Sequence, residues 1–97
     1  MKELPKSTKV VVIGGGVAGT SCAYHLAKFG WKDVVLLERD LLTSGTTWHA
    51  AGLLGQLGAS STITKIRKYS LDLYKDLEKT TGLSTGMKQN GAITVAS

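Results

Sequence analysis

The chain has 97 residues, a formal net charge of +5 from 12 Lys and Arg against 7 Asp and Glu, and one cysteine. That length allows a single small domain, and one cysteine excludes a disulfide framework or a C-x-x-C metal site. The basic residues are scattered rather than gathered into a run interleaved with aromatics, which gives no nucleic-acid signature, and no stretch approaches the ~18 apolar residues of a membrane span.

Residues 1–8 are polar, carry Pro5, and read as a disordered terminus that resembles neither a secretory signal nor a transit peptide. A cytoplasmic protein is the resulting expectation. Lys9 to Ile13 is predicted as the first strand, its continuous β-branched run Val10 to Ile13 reading as in a buried parallel strand and stopping abruptly at Gly14-Gly15-Gly16. A helix is predicted from Val17 to Phe29, with Gly30 as its stop signal. Val34 to Glu38 then reads as a second strand, parallel to the first through a right-handed crossover.

Gly14, Gly16 and Gly19 fit the spacing G-x-G-x-x-G. The first permits a tight turn off the strand, the second lets backbone approach a pyrophosphate, and the third lets the helix pack closely on the strand. The helix N-terminus would offer unpaired N–H groups and partial positive charge to the phosphates. Glu38 follows Gly19 at close to the roughly 20-residue separation expected for the acid that binds ribose hydroxyls. A carboxylate there repels a 2′-phosphate, so the unit favours FAD or NAD over NADP.

Beyond Arg39-Asp40, Leu41 and Leu42 are expected to pin a loop to the core. That loop carries Ser44, Thr46 and Thr47, whose hydroxyls can donate to phosphate oxygens, and then Ala50, Ala51 and Gly52, which keep Cβ bulk low. A second cradle directly after the acid suits a long, deeply held dinucleotide and tilts FAD above NAD. Thr62 to Thr81 is predicted as an amphipathic helix with Ile63, Ile66, Ser70, Leu73 and Leu77 on one stripe, flanked by Tyr69 and Tyr74 and ended by Gly82. Ala92 to Ala96 reads as a short strand after the turn pair Asn90-Gly91. Cys22 reads as a core residue, Leu26 and Ala27 as part of the buried side of the first helix, and His25 as an ordinary helix histidine.

The fold class is therefore α/β: a Rossmann-like FAD/NAD(P)-binding βαβ unit, an incomplete parallel sheet, an added amphipathic helix and a short terminal strand. Two parallel strands need helical cover on both faces that this chain does not supply. Residues 9–97 are accordingly expected to be the N-terminal part of a larger FAD-binding domain.

The stretch Thr43-Ser44-Gly45-Thr46-Thr47-Trp48-His49-Ala50-Ala51-Gly52, with Val12 to Gly19, Tyr24 to Lys28 and Val34 to Arg39, resembles the flavin amine dehydrogenases, the sarcosine and dimethylglycine dehydrogenase group. Thr81-Gly82-Leu83 and Gln89 to Ile93 resemble the same family. The resemblance implies FAD held by Gly14, Gly16, Val17, Ala18, Gly19, Glu38, Arg39, Ser44, Gly45, Thr46, Thr47, His49, Ala51, Gly52 and Leu53, and bound covalently through His49. It implies oxidative demethylation of an N-methyl amino acid, such as sarcosine or dimethylglycine, with hydride going to flavin N5. It further implies an electron-transfer flavoprotein as partner, tetrahydrofolate in a C-terminal part, and a mitochondrial matrix location in some members. No catalytic acid or base and no metal ligand is assigned. The alternatives are a D-amino-acid-oxidase-like flavoenzyme with non-covalent FAD, or a non-catalytic regulatory relative. The phosphatase-regulatory member of the group lacks the histidine.

Overall fold

The computed structural model describes residues 3–96. Met1 and Lys2, where the expected disordered terminus begins, and Ser97, the last residue of the expected domain, lie outside them. The elements run β1 (Val10–Ile13), α1 (Val17–Lys28), β2 (Val34–Leu37) and α2 (Ser61–Thr81). They fall into two compact units, one through residue 51 and one from residue 52 onward.

In the first unit β1 and β2 pair in parallel, with Val10 opposite Val34 and Ile13 opposite Leu37, and α1 packs against both strands. The pairing is closed at each end by a further backbone bond: Val10 N donates to Asp33 O at 3.2 Å, and Gly14 N to Leu37 O at 2.8 Å. At the N-terminal end of the strands the Asp33 carboxylate also accepts from Lys9 N and from Thr8 Oγ1. α1 ends in a Schellman motif. Gly30 takes a φ of +91°, its N–H bonds the Ala27 carbonyl, and Trp31 N bonds the Leu26 carbonyl. Lys28 lies in that last turn, where its positive charge meets the negative end of the helix dipole.

In the second unit Ser60 caps α2, its Oγ accepting from Ile63 N at 3.3 Å. Thr64 Oγ1 donates to the Ser60 carbonyl and accepts from Gly58 N, so the entry to the helix is stitched twice. At the far end Gly82 N bonds the Glu78 carbonyl. The Glu78 carboxylate accepts both the hydroxyl and the amide of Thr85, bonds that hold it below the ordinary carboxylate range.

The structure corrects several expectations. The two strands are half-buried rather than buried: β1 alternates, with Val11 49% and Ile13 84% exposed, because one helix covers one face. Cys22 and Ala27 are exposed, whereas Leu26 is half-buried. Leu41 and Leu42 are also largely exposed rather than core residues, although Leu42 Cδ2 lies over Gly15, because the chain there enters a series of turns. Residues 92–96 form no strand; an isolated extended segment has no ladder to join, and its Ile93 and Val95 face solvent. On α2 the expected stripe is half-buried at Ser70, Leu73 and Leu77 but exposed at Ile63 and Ile66. The helices otherwise lie within a residue of the predicted bounds.

Candidate functional site

The site is built at the C-terminal end of the parallel strands, where the loop leaving β1 meets the loop leaving β2. Gly14 adopts a φ of +104°, a conformation that a side chain resists, and turns the chain sharply off the strand. Gly19, in the first turn of α1, sits directly against that turn: a Cβ there would collide with the Gly14 carbonyl and stand 3.5 Å from Val12 Cγ1. The turn and the close helix–strand packing expected of these two glycines are therefore both present.

Gly15 was not among the expected residues. It is the one buried position among the described residues. A Cβ on it would stand 2.6 Å from Leu42 Cδ2 and 3.0 Å from Glu38 Cγ. Its amide donates to Glu38 Oε1 at 3.0 Å, and its carbonyl accepts from Thr43 N at 2.8 Å. The signal lay in the run of three glycines, but Gly15 occupies a free position of the G-x-G-x-x-G pattern and so carried no assigned role.

Glu38 closes β2 with both carboxylate oxygens on backbone donors, Gly15 N and, at 2.7 Å, Asp40 N. These bonds, Gly15's first and Asp40's second, hold its carboxyl below the ordinary value, with the neighbouring Arg39 charge assisting. Each oxygen keeps a lone pair for a further donor. The acid is thus ionised, oriented and placed beside the glycine loop.

α1 begins at Gly16, which has no side chain to cap it, and its first turn contains no acidic residue. The first bond of the helix runs from Thr20 N to Gly16 O, so the amides of Val17, Ala18 and Gly19 have no intrahelical acceptor. Thr47 supplies one: its Oγ1 accepts from Val17 N at 2.9 Å. A Cβ on Gly16 would stand 2.9 Å from the same oxygen. The amides of Ala18 and Gly19, with the helix dipole behind them, are those left to an anion.

The second loop is a succession of tight turns. Trp48 N donates to Gly45 O, His49 N to Thr46 O and Ala50 N to Thr47 O, at 3.1 to 3.3 Å. Ser44 Oγ donates to the Leu41 carbonyl rather than standing free for a phosphate. Thr43 holds a φ of +64°, unusual for a β-branched residue. The exposed His49 brings Nδ1 within 2.8 Å of the Gly45 carbonyl. A carbonyl only accepts, so Nδ1 carries the proton, and in the neutral ring Nε2 then presents its lone pair.

The structure thus brings together Gly14, Gly16, Val17, Ala18, Gly19, Glu38 and Thr47, while Arg39 flanks the acid. Ser44, Gly45, Thr46 and His49 lie in the turns that follow. Ala51 ends the first unit; Gly52 and Leu53 begin the second, both exposed. An open depression of about 430 Å³ lined by Lys9, Phe29, Trp31 and Asp33 lies at the opposite end of the strands and holds none of these residues. Among the described residues no His, Cys, Asp and Glu form a group able to hold a metal ion, and no helix is long and apolar enough to cross a membrane. A backbone cradle closed to any Cβ at Gly19, an unneutralised helix start and an oriented carboxylate fit the pyrophosphate and ribose of a dinucleotide such as FAD.

Comparison with known proteins bears on the same stretch. A family model described as FAD dependent oxidoreductase matches residues 9–97. The mitochondrial sarcosine dehydrogenase of Mus musculus is 52% identical over 97 residues, covering 99% of this chain and 11% of that protein. The 4-methylaminobutanoate oxidase (formaldehyde-forming) of Paenarthrobacter nicotinovorans is 46% identical over 96% of this chain and 11% of its own length. The mitochondrial pyruvate dehydrogenase phosphatase regulatory subunit of Mus musculus is 47% identical, with the same two coverages. The chain therefore spans about a tenth of the length of these relatives.

Proposed function

The chain belongs to the FAD dependent oxidoreductase family, and on that premise we propose that it forms the FAD-binding βαβ unit of an enzyme that oxidatively demethylates N-methyl amino acids such as sarcosine or dimethylglycine. Relatives named for sarcosine and for 4-methylaminobutanoate support that substrate class, since both substrates carry a methylamino group. FAD, when bound, supplies a two-electron acceptor whose N5 takes the hydride from the N-methyl carbon.

The residues of this chain hold and orient it. The amides of Ala18 and Gly19 and the start of α1 face the pyrophosphate, Gly14 turns the chain off the strand beside it, and Gly16 makes room for the Thr47 hydroxyl there. Glu38 accepts from the ribose hydroxyls, already aligned by Gly15 and Asp40. Ser44, Gly45, Thr46 and Thr47 flank the cofactor, and His49 carries it covalently through Nε2, the ring nitrogen left with a lone pair by the Gly45 carbonyl. That histidine geometry is the observation that carries the covalent reading. An electron-transfer flavoprotein as onward electron acceptor and tetrahydrofolate as carbon acceptor belong to the same proposal but rest on no residue of this chain.

The test is the mass of the His49 peptide from intact, denatured and digested protein. We expect a gain of one FAD, abolished in His49→Ala. An unmodified peptide from flavin-loaded protein would instead support a non-covalent amino-acid oxidase. Similarity to the phosphatase regulatory subunit favours a second reading, a non-catalytic regulatory protein; intact protein that takes up no flavin would establish it over the first.

A further inference from the structure

We propose that Thr47 is a positioning residue for His49: its hydroxyl, delivered from the neighbouring loop, accepts the first amide of α1, and it sets where the histidine turn stands over the glycine loop. The inference rests on the reading of His49 as the point of flavin attachment.

Four observations meet here. Gly16, the N-cap position, has no side-chain cap of its own, and the Thr47 hydroxyl takes the amide of Val17, the first helical residue and one of the donors without an intrahelical acceptor. The vacant Cβ position of Gly16 stands 2.9 Å from that hydroxyl, so glycine at 16 makes room for a protein group. From Arg39 to Ala51 every residue but Thr47 is exposed, so Thr47 is the least exposed residue of the turn segment, beside the backbone bond from Thr43 N to the Gly15 carbonyl. Thr47 also lies inside the turns that carry His49. Its carbonyl accepts from Ala50 N, and the Thr46 and Gly45 carbonyls beside it accept from His49 N and Nδ1. Fixing Thr47 therefore holds in place the turns in which the Gly45 carbonyl orients the histidine ring. The hydroxyl accepts from Val17 and so keeps its own proton for a further acceptor, which lets one side chain serve the cap and face the cofactor.

The experiment compares Thr47→Val, which keeps the shape and removes the hydroxyl, with Thr47→Ser, which keeps the hydroxyl. The first readout needs no flavin: hydrogen exchange of the Val17 amide in flavin-free intact protein. We expect about fivefold faster exchange in Thr47→Val, the size of a lost cap, and near-wild-type exchange in Thr47→Ser. The second readout is the fraction of His49 peptide carrying FAD after a fixed time of reconstitution. It should fall by about tenfold or more in Thr47→Val, as expected for a displaced reacting group, and recover in Thr47→Ser. Equal exchange in all three proteins overturns the capping role. Wild-type flavin loading of His49 in Thr47→Val, or failure of Thr47→Ser to restore it, overturns the positioning role. An unmodified His49 in flavin-loaded wild type overturns the attachment reading and the positioning role with it; the exchange result decides the cap independently.

Discussion

The carboxylate of Glu38 accepts the amide of Gly15 at 3.0 Å, so the acid that ends β2 is fastened to the loop that leaves β1. Glycine at position 15 makes the close approach possible, because a Cβ there would press on Leu42 Cδ2 and crowd the Glu38 stem. The acid and the loop are thus a single preorganised unit.

The first prediction follows from the charge. Backbone donors lower the carboxyl of Glu38 below its ordinary 4.5. A depressed folded value contributes stability that is complete above the unfolded value and disappears as pH falls through the folded one. The difference in thermal midpoint between wild type and Glu38→Gln should therefore stay constant from neutral pH down to the ordinary carboxylate range, then shrink below it. At neutral pH the same variant should bind FAD about tenfold more weakly or worse, having exchanged a charged acceptor for a neutral one. A gap that narrows well above the ordinary range would contradict the assignment.

The glycines of the loop should separate by cause. At Gly19 an added methyl meets the Gly14 backbone, which cannot swing aside, and Gly19→Ala should prevent the unit from folding. At Gly15 the nearest obstacle is the exposed Leu42 side chain. Gly15→Ala should cost about 1–3 kcal/mol, and part of that should return in a Leu42→Ala background. Gly14 has open space around its Cβ position but a φ of +104°, so Gly14→Ala should cost about 1–3 kcal/mol through backbone strain alone, whatever is done to Leu42. Denaturant midpoints of the single and double variants check all three.

Thr43 should behave in the opposite sense. Relief of its positive φ outweighs the added chain entropy of glycine, so Thr43→Gly is expected to stabilise the intact protein by about 1 kcal/mol. A loss of stability would mean that the Thr43 side chain contributes more than its backbone strain costs.

Studied by itself, the 97-residue chain should unfold over a broad temperature range. None of its described apolar side chains is fully buried, and a two-stranded sheet is marginal in water. A sharp calorimetric transition would refute this.

Much of the architecture was legible in the chain. The apolar runs at Val10–Ile13 and Val34–Leu37, the glycine break between strand and helix, and the stop signals at Gly30 and Gly82 mark the elements almost to the residue, because each depends on its immediate neighbours. The turn at Gly14 and the close packing at Gly19 were legible from the G-x-G-x-x-G spacing. What escaped depends on distant partners. The importance of Gly15 arises from Glu38 and Leu42, and the cap of α1 comes from Thr47, 30 residues beyond Val17. Apolarity alone suggested that Cys22 and the strands would be buried and that residues 92–96 would pair, but burial and pairing require a second surface, which periodicity does not reveal.

The segment from Glu38 to Thr47 is held at three places: by the Glu38 carboxylate on Gly15 N, by Thr43 N on the Gly15 carbonyl, and by the Thr47 hydroxyl on Val17 N. It therefore works as a ruler. Point substitutions on its outward side, at Arg39, Leu41 or Thr46, leave its graduations unchanged, whereas inserting or deleting one residue between the fixed marks must release at least one of them. Variation in this loop is thus confined to its composition and denied to its length.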